Sequence, residues 1–171
     1  IPLSTSADVV ATENWYDPDA TDLYIRSAND FLAFGNTINA VKNGSTFMDG
    51  VIVHIMNDID MSDWDGNWYD KVLVNRHFRG IIDGHGHTIS GLTFTQAASS
   101  AQYSGLFGGR IYAGSNYNET YDAYAGVFNL TIKNTSVSFT QGYGGGLFGS
   151  VDQGSITNAK VRFSNLNLNM T

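Results

Sequence analysis

Two stretches decide the fold: Gly105-Leu106-Phe107-Gly108, which recurs as Gly146-Leu147-Phe148-Gly149, and the run from Asn129 to Phe139, which aligns without gaps on Asn158 to Leu168. In the second alignment Leu130, Ile132, Val137 and Phe139 fall on Ala159, Val161, Leu166 and Leu168, all apolar. Thr131, Lys133 and Ser138 fall on Lys160, Arg162 and Asn167, all polar. Apolar residues at every second position give a strand one buried and one exposed face. The pattern therefore predicts units of two short strands, joined by a turn at Asn134 in one unit and Phe163 in the next. The tetrapeptide repeats at an offset of 41 residues and the strand run at 29. The first unit is thus expected to carry an insertion of 12 residues, within Tyr112–Tyr124.

Working outward, further strand runs precede these units. Val51–Met56 is apolar and rich in branched residues, and Phe78–Ile82 and Leu92–Phe94 follow, with Gly, Asn and Asp between the runs. No hairpin signal separates them. Repeats of this length, built of short strands, stack into a solenoid because one unit cannot bury its inner face alone. The expected fold is an all-β solenoid, a right-handed parallel β-helix over residues 49–171. Residues 24–48 form a capping region with an N-terminal α-helix. Ser27 stands as N-cap with Asp30 three residues on, and Phe31, Phe34, Ile38 and Val41 form one apolar face. Gly44 is the expected stop. Such a helix shields the open end of a stack, where bare strand edges invite aggregation. Residues 1–23 have no clear period and read as a lead-in, and Ile1-Pro2-Leu3-Ser4 reads as an internal cut or a mature end.

Composition limits the function. Sixteen Asp and Glu face nine Lys and Arg, a formal charge of -7 that argues against nucleic acid and anionic membrane as partners. No apolar run approaches the roughly 18 to 20 residues of a membrane span. With no cysteine, thiolate chemistry and disulfides are excluded. Asn, Ser, Thr, Gly and Tyr are plentiful and Lys and Glu scarce, which favours strands and turns and an extracellular setting.

The segment from Phe78 to Phe94, with Asp83-Gly-His-Gly-His-Thr-Ile89 at its centre, resembles the opening repeat of bacterial surface proteins with GLUG-type repeats. The Gly-Leu-Phe-Gly and Asn-Leu-x-Ile elements, the helix and the Asn57–Met61 strand end belong to the same resemblance, which covers about residues 24–168. It implies a β-helix on a large cell-surface or secreted, adhesin-like protein, and it supplies no catalytic residues. The chain departs from the pattern at Tyr112–Tyr124 and at the loop-like Asp63–Asn75, which holds Trp64, Trp68 and Tyr69.

Candidate chemistry is sparse. Asp58, Asp60, Asp63 and Asp65 suggest calcium, but Met61 stands where the first loop ligand belongs, so solvated turn carboxylates are the better reading. His85 and His87 lack a visible third zinc ligand. A polysaccharide-active enzyme needs spaced carboxylate pairs, and none recurs between units. No cofactor and no metal are expected, and the chain is read as a non-enzyme.

The aromatic residues carry the functional reading. Tyr112, Tyr117, Tyr121 and Tyr124 are interleaved with Asn116 and Asn118, while Tyr103 and Tyr143 precede the two Gly-Leu-Phe-Gly elements. Tyr among small polar residues is the composition of antibody paratopes. These eight residues are the expected partner-binding set of a bacterial surface module, most of all those of the insertion, the alternative being that some of the rings shield the solenoid's flank. It would engage a host extracellular protein, such as a secreted glycoprotein or an immunoglobulin, with carbohydrate as a further partner class. A structural spacer is the alternative, and a polysaccharide-active β-helix enzyme a weaker one.

Overall fold

The computed structural model describes residues 8–41, 47–72, 77–96, 103–140, 142–154 and 156–171. Its strands are β1 (Asp22–Ile25), β2 (Ile52–Ile55), β3 (Ile59–Asp60), β4 (His77–Phe78), β5 (Ile81–Asp83), β6 (Thr88–Ser90) and β7 (Thr93–Gln96). They continue as β8 (Tyr103–Ser104), β9 (Gly108–Tyr112), β10 (Ala125–Phe139), β11 (Tyr143–Gly144), β12 (Phe148–Asp152) and β13 (Val161–Met170), with one helix, α1 (Ala28–Val41).

Every pairing between these strands is parallel. Asp22 pairs with Ile52, Ile52 with Ile81, Ile81 with Gly126 and Gly126 with Arg162, so one ladder runs β1-β2-β5-β10-β13. A second ladder runs β3-β6-β10-β13 and a third β4-β9-β12. Among the described residues the one antiparallel bridge is the isolated Asn118–Ala123 pair. The chain is thus a set of parallel sheets with little helix.

Left-handed asparagines let one strand serve three neighbours. β10 pairs with β5 through Gly126–Phe128, with β6 through Thr131–Lys133 and with β7 through Ser136–Phe139. Between these segments Asn129 and Asn134 take φ of 56° and 48°. Asn tolerates this region better than other residues with a Cβ, so it can turn the strand while the ladder continues. Gly91, at φ 79°, donates to the Asn134 carbonyl and makes the same corner in the chain beside it.

Inward residues stack on their ladder neighbours. Val53, Ile82 and Val127 are fully buried, as are Ile59, Ile89 and Ile132. Branched side chains pack well in such columns, because the two heavy atoms on Cβ restrict χ1 and little rotamer freedom is lost on burial. The α1 face expected from the sequence is buried: Phe31, Phe34 and Ile38 all lie in the core. Phe31 stacks on Trp68 at 4.5 Å, and Phe34 meets the rings of Phe78 and Phe107. The Ser27 hydroxyl accepts the Asp30 N–H at 3.2 Å, which caps the helix. Gly44 lies outside the described residues.

Three readings are corrected. The strand run after Asn129 does not align on Asn158. The ladder pairs Leu130 with Leu166 and Ile132 with Leu168, so Asn165 is the counterpart of Asn129. Phe163 is consequently strand, paired with Val127, and not a turn. Alternating patterns match themselves under many shifts, and each left-handed asparagine resets the alternation, so apolar matching alone gave a false register. The Gly-Leu-Phe-Gly elements do stack: the N–H groups of Leu106 and Phe107 donate to the carbonyls of Gly146 and Leu147. The insertion shrinks accordingly. Twelve residues separate β9 from β10 and eight separate β12 from β13, a difference of four.

The second correction concerns the start. β1 runs from the end of the 1–23 lead-in into the 24–48 capping region, before α1, and extends the first ladder by one strand. The third concerns the last strand. Val161 is half-buried and Leu168 is 39% exposed, although both belong to inward columns, because among the described residues β13 pairs on one side only, with β10.

Candidate functional site

The outer faces of the ladders carry polar side chains and several tyrosines, while most phenylalanines lie in the core. These faces divide the eight tyrosine-centred candidates into two groups. Asn116, Tyr117, Asn118, Tyr121 and Tyr124 lie in the segment 113–124, beside the β1-β2-β5-β10 face. Tyr103, Tyr112 and Tyr143 lie on β8, β9 and β11.

The 113–124 segment is tied down along its length. Asp49 accepts the N–H groups of Ser115 and Asn116 and the side-chain amide of Asn116. Burial raises the Asp49 pKa, but these donors outweigh it and hold the carboxyl below its ordinary value. The Asn118–Ala123 bridge closes a tight turn, with Asp122 at φ 50°. Lys160 pairs with Asp122 at 2.7 Å, and Arg162 donates to the Tyr121 carbonyl at 2.9 Å.

Within this segment the tyrosines differ in role. Tyr121 lies on Phe128 with ring centroids 4.8 Å apart, in a small apolar cluster with Ile81, Ala123 and Ile52 on the outside of the sheet. Its hydroxyl donates to Asp83 at 2.6 Å. Burial first, then the Asp83 hydrogen bond and charge, push the Tyr121 pKa far up. Tyr121 is therefore a packing residue that covers the sheet. Tyr124 is half-buried against Tyr117, and Tyr117 itself is 48% exposed with its hydroxyl on Asp122. Asn116 faces solvent as well, and Asn118 is half-buried, its side-chain oxygen accepting from Thr120.

A histidine chain lies on the same outer face. The Asp22 carboxylate is 2.7 Å from His54 Nε2, and His54 Nδ1 is 2.7 Å from His85 Nε2. Both contacts are satisfied with neutral rings if His54 donates to Asp22 and accepts from His85. His87 turns elsewhere, to Asp58 at 3.2 Å, so the His85–His87 pair does not converge. Asp58 also accepts the Thr88 N–H, and Asp60 accepts the Ser62 N–H, which makes both carboxylates parts of turns. Among the described residues no group of three or more His, Asp or Glu side chains is arranged to hold a metal ion.

The second group builds a row on the outer side of β4 and β9. Tyr103 and Tyr143 stack with centroids 4.9 Å apart, as their strands pair directly. The Arg110 guanidinium lies 4.2 Å over the Tyr103 ring and donates to the Tyr112 hydroxyl at 2.9 Å. Arg79 lies 4.5 Å over the other tyrosine, Tyr112, and His77 packs beside that ring at 4.9 Å. Burial, then the charges of Arg110 and Arg79, lower the His77 pKa. Tyr143 ends the row and is 59% exposed. Arg79, Arg110 and His77 were not singled out from the sequence. Alternation along Gly108–Tyr112 puts Arg110 and Tyr112 on one face, but only the ladder brings Arg79 and His77 to them.

No family model, no curated protein and no solved structure matches the chain. Among the described residues no helix is long and apolar enough to cross a membrane.

Proposed function

We propose that this chain is a right-handed parallel β-helix module of a bacterial cell-surface or secreted protein. In this reading it binds a host extracellular molecule and catalyses no reaction. The β-helix is supported by uninterrupted parallel ladders, by the stacked Gly-Leu-Phe-Gly elements and by the resemblance of Phe78–Phe94 to GLUG-type surface proteins. In that architecture α1 covers one end of the stack, with Phe31 and Phe34 facing the core.

The observation that carries the binding reading is the Tyr103–Tyr143 stack. It holds a large aromatic surface toward solvent outside the core, with Tyr143 mostly exposed. Ordering such rings without burying them leaves area for a partner, and tyrosine anchors are frequent interface hot spots. Exposed Tyr117 and Asn116 form a second contact area on the 113–124 segment.

The test is capture of host protein from serum and mucosal secretions on the immobilised module. Recovery of a glycoprotein or an immunoglobulin is expected, lost on Tyr143→Ala or Tyr117→Ala with thermal stability kept. A module that retains nothing would favour the spacer reading. That alternative draws on β13, which among the described residues pairs only with β10 and so offers its other edge to a further strand.

A further inference from the structure

The Arg79–Tyr112–Arg110 row holds two cations around one ring, and neither has a carboxylate within ion-pair distance, although the Asp152 charge acts on Arg110 from further off. Arg79 stacks on the Tyr112 face and Arg110 donates to its hydroxyl. The Nε atoms of both arginines are shielded from solvent and have no hydrogen-bond partner. All sixteen Asp and Glu residues lie among the described residues, and none is within ion-pair distance of either guanidinium. Asp152, opposite Tyr112 in the ladder, spends one oxygen on the Gly154 N–H. In a chain of net charge -7, two neighbouring guanidiniums with no direct ion pair and only one carboxylate charge acting on Arg110 leave a local excess of positive charge. Both charges reach His77 and lower its pKa, in the same direction as its burial.

Guanidinium groups held by stacking on tyrosine present rigid donors, and rigid donors match a carboxylate in bidentate geometry. Next to them Tyr103 and Tyr143 offer a flat aromatic platform whose outer ring faces solvent. The apolar C–H face of a pyranose packs on such a ring, while its hydroxyls stay in water. The geometry points to a carboxylated sugar as the ligand of this row, its carboxylate at Arg79 and Arg110 and its ring on Tyr143. This inference rests on the binding reading and names the chemistry that the second tyrosine group recognises. Sialic acids and uronic acids share that chemistry.

Titration calorimetry of the full chain tests it with sialyllactose, trigalacturonate, lactose and hexaglutamate as probes. At least one carboxylated sugar should bind about tenfold or more tightly than lactose, the worth of one charge-assisted hydrogen bond. Added salt should weaken that binding. Arg79→Gln, Arg110→Gln and Tyr143→Ala should each weaken it about tenfold. Should a glutamine variant fail to fold, Arg110→Lys keeps the charge without the planar fork and should still bind more weakly. Bound anion cancels the arginine field, so the His77 pKa followed by NMR should rise on saturation. Equal binding of lactose and the acidic sugars, equal binding of hexaglutamate, no binding of any acidic sugar, or an unmoved His77 overturns the inference. Host-protein capture that survives in the Arg79→Gln/Arg110→Gln double variant would also overturn it, while leaving the binding reading intact. Failure of capture by the unaltered chain, with acidic-sugar binding present, would remove the protein-partner reading alone.

Discussion

Asn165 is the ladder counterpart of Asn129: their φ angles are 54° and 56°, and Asn165 Nδ2 donates to Asn129 Oδ1 at 3.0 Å. The two residues share a backbone state that most side chains avoid, and each amide partners the other. Asn129→Ala should therefore cost about 1–2 kcal/mol for the left-handed conformation and about 1 kcal/mol more for each of the two lost side-chain hydrogen bonds, to Asn165 and to Asp83. Asn129→Gly keeps the conformation at low strain and should cost roughly half as much. Urea unfolding of the two variants checks the order. Equal losses would mean that conformation does not set the corner.

Ile132 and Leu168 are partners in one ladder, but their neighbourhoods differ. Ile132 is fully buried and Leu168 is 39% exposed. Ile132→Ala should destabilise by about 2–4 kcal/mol, through lost transfer energy and a cavity. Leu168→Ala should cost under about 1 kcal/mol. Comparable losses at both positions would show that something covers β13 in solution.

Gly35 stands inside α1, where alanine is ordinarily better by about 1 kcal/mol. Here a Cβ would run into the Trp68 ring. That ring is fully buried, stacked on Phe31 and held by its Nε1 donation to the Leu106 carbonyl, so it cannot yield. Gly35→Ala should lower stability by about 1–3 kcal/mol, as overpacking does. A thermal melt that moves upward would show that the ring repacks.

Asp83 is buried, which raises its pKa, yet donors from Tyr121, the His85 N–H and Asn129, with the nearby His85 charge, hold it below the ordinary value. A lowered folded-state pKa adds stability above the unfolded carboxyl value near 4 and loses it as pH falls through the folded one. Unfolding followed from pH 7 downward should show such a loss below about pH 4. Tyr121→Phe removes a donor, so its stability should fall at neutral pH and vary less with acid than that of the unaltered chain. Identical pH slopes would mean that the Tyr121 hydroxyl does not stabilise the carboxylate.

Much of the framework is legible in the residues. The α1 span follows from Ser27, Asp30 and the Phe31–Phe34–Ile38 face, since local periodicity reports a helix directly. The Gly-Leu-Phe-Gly repeat reports stacking because identical segments meet in space. Register is another matter: the Asn129 and Asn165 corners interrupt the alternation, and only backbone geometry tells which asparagine is turned. β1 was missed because four residues with two inward apolar positions, Leu23 and Ile25, carry too little pattern. The site was legible in part. Composition picked out the tyrosines but could not separate Tyr121, which covers Phe128, from Tyr143, which faces water. Arg79 and His77 escaped because they meet Tyr112 only across the ladder, and Arg110 because its alternation with Tyr112 does not by itself mark a site.

The parallel pairing also governs how quickly the chain can reach its native state. Asp22 waits for Ile52, Ile81 for Gly126 and Ala125 for Val161. Each closure spends chain entropy before any sheet contact returns it, and only α1 forms from near neighbours. Refolding should accordingly take milliseconds to seconds, not the microseconds of small helical bundles. During that interval unpaired strands stand open to one another, so dilution should raise the refolding yield. On a ribosome the first ladder can start while later strands are still being made, which shortens that exposure.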